Sequence, residues 1–153
     1  MFNEYLLSFS LLTIYTLVLQ FWMDLKERKV DSRRNYMMYG AVLVIGIVSH
    51  QAGVLILTGL LTIAFTFVLS KLEEKQGKVV FGDGDKEILG WSVPGIALTL
   101  GYFYAGAFIF LLMLSFFGLA YLRQVKAIPS EKLPGLLFIS FAYLVILICG
   151  WFL

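Results

Sequence analysis

Six apolar stretches joined by short connections, with the basic residues confined to alternate connections, constrain this chain more than any single motif. The stretches run from about Tyr5 to Met23, Tyr36 to Ser49, Val54 to Ser70, Asp85 to Phe103, Ala107 to Leu122 and Gly135 to Leu153. With 60% hydrophobic residues, 14% charged residues and a mean hydropathy of +0.88, the 153 residues are too apolar for an ordinary soluble domain. A span needs roughly 20 mainly apolar residues, so six fit this length only if the loops are short. The pattern predicts an all-α integral membrane protein: a bundle of six transmembrane helices with short loops, forming one domain over residues 1–153 in a lipid bilayer. Little length remains for a separate soluble domain, and no internal repeat is visible.

No basic residue precedes the first apolar run and no small-residue cleavage pattern follows it, so this segment is expected to stay as a span. Cys149 is the single cysteine, which excludes a disulfide or cysteine zinc site within one chain. No cofactor, metal site or nucleic-acid partner is expected. The 12 Lys and Arg residues fall five, four and three around the connections after the first, third and fifth stretches. The positive-inside rule places those connections in the cytoplasm and both termini outside. Basic residues divided between the two sides would have left this orientation open.

Asp24 and Asp85 then share the cytoplasmic face. Asp24 ends the first apolar stretch, and Asp85 lies in Phe81-Gly82-Asp83-Gly84-Asp85-Lys86-Glu87, a charged turn leading into an apolar segment with Trp91 and Pro94. Gly82 and Gly84 are expected to supply positive φ and a close backbone approach that aims Asp85 into a confined space. Gly90, Pro94 and Gly95 argue against a regular helix through the fourth stretch and for a kink near Pro94.

Two aspartates from different helices can share one proton, because each ionised form disfavours ionisation of the other. At about 4 Å and an effective dielectric near 20 the repulsion is about 4 kcal/mol, or roughly three pKa units. Such a dyad can hydrolyse a peptide bond, the carboxylate drawing a proton from water while the acid polarises the carbonyl. Simpler roles are open beside this one: Asp85 as a helix N-cap, and Asp24 as a solvated loop residue. Asp83 and Asp31 compete for the same two positions.

At these residues the chain resembles the prepilin peptidase family of membrane aspartyl proteases, which includes the preflagellin peptidases. Asp24 with the basic run to Asn35 resembles the family's first aspartate motif, and Gly82-Asp83-Gly84-Asp85 matches its Gly-x-Gly-Asp motif. Val30-Asp31-Ser32 stands where Ile-Pro-Asn is common, and Lys86 follows Asp85 directly where many members place the lysine one residue later. Ile128-Pro129 and Pro134 resemble a proline-containing segment before the family's last span. The resemblance implies an aspartic endopeptidase with Asp24 and Asp85 catalytic, and Gly82, Gly84 and Lys86 supporting the motif. Its implied substrate is a type IV pilin-like precursor, with a short basic leader and an apolar helix, cut at the cytoplasmic face of the inner membrane. One cysteine and no paired Cys-x-x-Cys domain imply a peptidase-only form without methyltransferase activity, as in archaea or short bacterial members. Glu73, Glu74 and Glu87 are candidates to attract the basic leader.

Other enzymes carrying Gly-x-Gly-Asp, the presenilin and signal-peptide-peptidase kind, resemble the chain at Gly82 to Asp85. They place their first aspartate after Tyr, whereas Met23 precedes Asp24. A small membrane scaffold or transporter is the non-enzyme alternative, although a transporter would carry ionisable groups nearer mid-span. His50, at the opposite end, reads as an interfacial polar residue. Trp22, Trp91 and Trp151 suit interfaces or bundle packing. Ala97, Gly101 and Ala105 suit close helix approach, and the Phe-rich fifth stretch is expected to face lipid.

Overall fold

The computed structural model describes residues 4–27, 31–77, 81–125 and 135–152, which form helices and short turns with no strand among them. The helices are α1 (Glu4–Glu27), α2 (Ser32–Val48), α3 (Ala52–Gln76), α4 (Asp83–Leu100), α5 (Tyr102–Gln124) and α6 (Gly135–Phe152). Three have segments long and apolar enough to cross a membrane: Leu7–Asp24 in α1, α3, and Tyr102–Leu122 in α5. The other three fall short for separate reasons. The 17 residues of α2 reach only about 25 Å at 1.5 Å per residue, α4 spends its opening turn on charged residues, and the apolar part of α6 is the shorter Gly135–Gly150.

The outward faces are apolar like the interior, unlike those of a soluble bundle. The buried stripe of α3 is Thr58, Thr62, Phe65, Leu69 and Glu73, while Ile56, Leu60, Ile63 and Phe67 point outward. The hydroxyls of Thr58 and Thr62 satisfy themselves one turn back, donating to the carbonyls of Val54 (2.6 Å) and Thr58 (2.7 Å). Threonines that satisfy their own hydroxyls can sit inside at close helix approach, while the outward face stays apolar. The inner face of α1 follows the same rule with Phe9, Thr13, Thr16, Leu17 and Gln20.

The central element is α4, which touches each of the other five helices, whereas α1 and α3 have no contact with each other among the described residues. From Ile88 to Leu98 its side chains are buried, Gly90 alone being partly open. The helix runs through Pro94 without ending. Proline removes the one hydrogen bond to Gly90, and packing on all sides holds the helix across that gap. Gly90 also gives way to Tyr39 of α2, whose hydroxyl donates to the carbonyl of Glu87 (2.9 Å) from the space a Gly90 side chain would fill.

Several boundaries move from their sequence positions. The uncharged turn expected at Ala105-Gly106 lies at Gly101, where φ is +99°, so α4 stops at Leu100 and α5 takes in Tyr102 to Gly106. Gly101 is therefore a turn residue, while Ala97 and Ala105 are buried packing residues. Arg33, Arg34 and Asn35 belong to α2, because Asp31 caps its start by accepting the Arg33 N–H at 3.0 Å. Phe103, Phe110 and Phe117 of α5 face outward as expected, but Phe108 and Phe116 are fully buried, against Tyr143 and Phe81. Trp22 is exposed and Trp91 buried; the side chain of Trp151 and the segment with Ile128, Pro129 and Pro134 lie outside the described residues.

Replacing Gly90 by alanine drives a methyl into the Tyr39 hydroxyl, and overpacking of this kind costs about 1–3 kcal/mol. Gly118→Ala, in open space on α5, provides the control. Thermal unfolding in one detergent is expected to show a lowered Tm for the first variant and an unchanged or raised Tm for the second.

Candidate active site

Successive residues of an α-helix point about 100° apart, and the opening turn of α4 uses this to send three charged side chains to three different neighbours. Lys86 reaches α3, where its Nζ lies 2.7 Å from Oε2 of Glu73. Glu87 reaches α2, accepting a hydrogen bond from the Asn35 side-chain amide at 3.0 Å. Asp85 turns toward α1 and α6, where it meets the charge of Asp24 and the backbone of Gly135.

Asp85 is 8% exposed. It is the third residue of α4, and its Oδ2 accepts the Gly82 N–H at 3.0 Å, which satisfies one donor at the helix start. It sits in the charged turn ahead of the helix's apolar part. Burial pushes its pKa up from 3.8 to about 6, although the Gly82 N–H draws it down; the negative charges of Asp24 and Glu73 raise it further and Lys86 opposes them. Desolvation dominates, so the protonated acid is the favoured form over a wider range than for an ordinary aspartate.

Asp24 lies in the last turns of α1, partly buried and one turn beyond the fully buried Gln20, so both share the helix face turned to the bundle. It thus belongs to the helix itself. A polar hub holds this end together. Gln20 donates to the Asp31 carbonyl (3.0 Å) and to Asn35 Oδ1 (3.2 Å), and accepts the Asp31 N–H (2.9 Å). Trp91 Nε1 donates to the same Asn35 oxygen at 3.1 Å. Through Asn35 and Glu87 the bonds run from α1 to the turn that carries Asp85.

The glycines of the motif act otherwise than expected. Gly82 has φ −66° and ψ 168°, extended backbone open to any residue, and an added Cβ would make only ordinary contact with Asp85 Oδ2 at 3.8 Å. Gly84 is within the helix, and the positive-φ glycines among the described residues are Gly77 and Gly101. The glycine that matters for approach is Gly135 at the start of α6, where a Cβ would overlap the Asp85 carboxylate and come within 2.8 Å of the Phe81 ring.

Of the competing acids, Asp31 is engaged as the cap of α2 and pairs with Arg34 at 3.2 Å, and Asp83 is exposed at the first position of α4. The three glutamates considered for leader attraction are already engaged: Glu73 with Lys86, Glu74 with Lys71, Glu87 with Asn35. Sequence reasoning missed the hub and Gly135. A lone glutamine four residues before Asp24 in an apolar run was the available signal for the hub; Gly135 carried none. Among the described residues no three His, Cys, Asp or Glu side chains gather as a metal site. Compared with models of known protein families, with curated proteins and with solved structures, the chain matches none.

The raised pKa of Asp85 has a sign that can be measured. Because the folded state favours the neutral acid, ionisation costs nothing below pH 3.8, an increasing amount between pH 3.8 and 6, and about 3 kcal/mol above that. Asp85→Asn keeps an acceptor for the Gly82 N–H and removes the charge. It is expected to be more stable than the unaltered protein at pH 7, with the difference fading as pH falls toward 4, as read by thermal unfolding across that range.

Proposed function

We propose that the protein is a membrane aspartyl endopeptidase in which Asp24 and Asp85 share one proton and activate water against a peptide bond. The observation that carries the proposal is the placement of Asp85: a carboxylate buried in the opening turn of a central helix, its pKa raised to about 6, within electrostatic reach of a second aspartate from another helix. A structural cap has no need of that burial, since a solvated aspartate caps a helix equally well.

In the proposed reaction one carboxylate takes a proton from water as its oxygen attacks the carbonyl carbon, and the protonated partner donates to the carbonyl oxygen. The resulting gem-diol collapses as the carboxyl that took the water proton passes it to the departing amine and a diol hydroxyl returns a proton to the other carboxylate, which restores the starting pattern. Asp85 is assigned the acid and Asp24 the base at the start of the cycle, on the ground that burial favours the neutral form of Asp85.

On this reading the six helices all cross the bilayer of the cytoplasmic membrane, the basic connections and the dyad face the cytoplasm and both termini lie outside. The wrapped position of α4 and the outward apolar faces support such a bundle, since a helix surrounded by others needs no lipid-facing length of its own. The substrate is a pilin-like precursor whose basic leader is cut from its apolar helix at the cytoplasmic face, as the likeness to prepilin peptidases at Asp24 and Gly82 to Asp85 implies. The apolar cleft between α1 and α6, about 250 Å³ and lined by Leu17, Phe21, Leu137 and Phe141, has room for one or two side chains of that helix.

Cleavage of a coexpressed pilin-like precursor tests the assignment. Asp24→Asn and Asp85→Asn are each expected to lower the rate at least 100-fold, the scale of lost general acid–base catalysis, while the helical content stays unchanged. For the unaltered protein, kcat/KM is expected to fall as pH rises through about 6, where Asp85 loses its proton. Either single variant cleaving at the unaltered rate would falsify the dyad, and a cut inside the precursor's apolar helix would assign the protein to the presenilin-like kind instead.

A further inference from the structure

Lys86 follows Asp85 directly in the chain, and an ammonium beside a buried carboxylate would ordinarily claim it as a counter-ion. The structure gives Lys86 a different partner. Glu73, four turns along the inner stripe of α3 from Thr58, is 5% exposed. One of its oxygens accepts the Phe81 N–H at 2.6 Å and the other binds Lys86 at 2.7 Å. The Phe81 ring so held is fully buried and stacks on Phe116 of α5, with ring centres 6.3 Å apart.

We propose that Glu73 is a positioning residue for the site: it fixes the start of the Gly82–Asp85 turn through Phe81 and occupies Lys86, so that Asp85 stays available to hold and release a proton. This deepens the peptidase reading and rests on it. A structural ion pair alone would not need one carboxylate to serve both the residue before the motif and the residue after it. Among the described residues the charges acting on Asp85 come from three helices: Asp24 of α1, Glu73 of α3, and Lys86 beside it on α4. From α6 it meets the backbone of Gly135. Glu73 and Lys86 act in opposite directions on Asp85, so losing the glutamate charge leaves the lysine unopposed.

Glu73→Gln isolates this role, because the glutamine oxygen can still accept the Phe81 N–H while the charge is gone. The first readout needs no substrate: the titration of the Asp85 carboxyl followed by carbon-13 NMR in full-length protein, its signal identified by its loss in Asp85→Asn. Glu73→Gln is expected to lower the midpoint by about one pH unit, Lys86→Met to raise it, and the double variant to bring it back toward the unaltered value. The second readout is precursor cleavage, where the alkaline limb of kcat/KM moves down with the midpoint in Glu73→Gln and returns in the double variant. A midpoint unmoved by Glu73→Gln, or a double variant no nearer the unaltered value than the single one, overturns the inference. If Glu73→Gln does not fold, a midpoint that fails to rise in Lys86→Met overturns it equally. Midpoints that move as expected in a protein that cleaves no precursor support the role of Glu73 and reject the peptidase reading.

Discussion

The arrangement depends on one constraint, that the helix carrying the acidic turn is also the helix every other one packs against. A charged turn at the end of a peripheral helix would remain in water. At the head of α4 it is drawn into the bundle, and each charge must find a complement or stand at an energetic disadvantage. Lys86 and Glu87 find theirs on α3 and α2, a carboxylate and an amide at 2.7 and 3.0 Å. Asp85 finds a backbone N–H and, opposite, another acid. The helical twist makes the three outcomes differ although the residues are consecutive.

Both anchors flank Asp85 and neither touches the face it presents to α1 and α6. Tying Lys86 to α3 and Glu87 to α2 fixes the rotation of α4 about its axis, and with it the direction of the side chain in front of them. The Asn35 hub does the same from the other side, since Gln20 and Trp91 converge on its side-chain oxygen while its amide donates to Glu87. Asn35, Gln20 and Trp91 are fully buried, and a buried polar hub of this kind specifies one helix register in a bundle whose apolar contacts alone would allow several.

The six helices and the shared end of Asp24 and Asp85 were legible in the sequence because hydropathy and loop charge are local properties of the chain. The turn at Gly101 was not, since a short uncharged connection between two apolar helices leaves no hydropathy minimum, and only the positive φ of Gly101 marks it. The same local reading gave six spans, whereas three helices meet the length and composition of one, because Arg33 and Arg34 fold into the 17 residues of α2 and the charged stretch Asp83 to Glu87 folds into α4. Gly82 and Gly84 drew attention as flexible residues, yet the close approach to Asp85 comes from Gly135, far along the chain. Glu73 illustrates the limit best. By sequence it is one acid in a charged stretch, and only the fold turns it inward to meet Phe81 and Lys86.

The negative charge of Asp24 acting on Asp85 runs against stability. Burial and a second acid make the charged form of Asp85 costlier than that of an ordinary aspartate, so a fold selected for stability alone would have an amide or an apolar residue there. The remainder of the turn shows that the bundle can supply partners where they are wanted, as it does for Lys86 and Glu87. Asp85 is left within electrostatic reach of Asp24 with the neighbouring lysine bound elsewhere, a feature that the proposed water activation uses and a purely structural cap does not need.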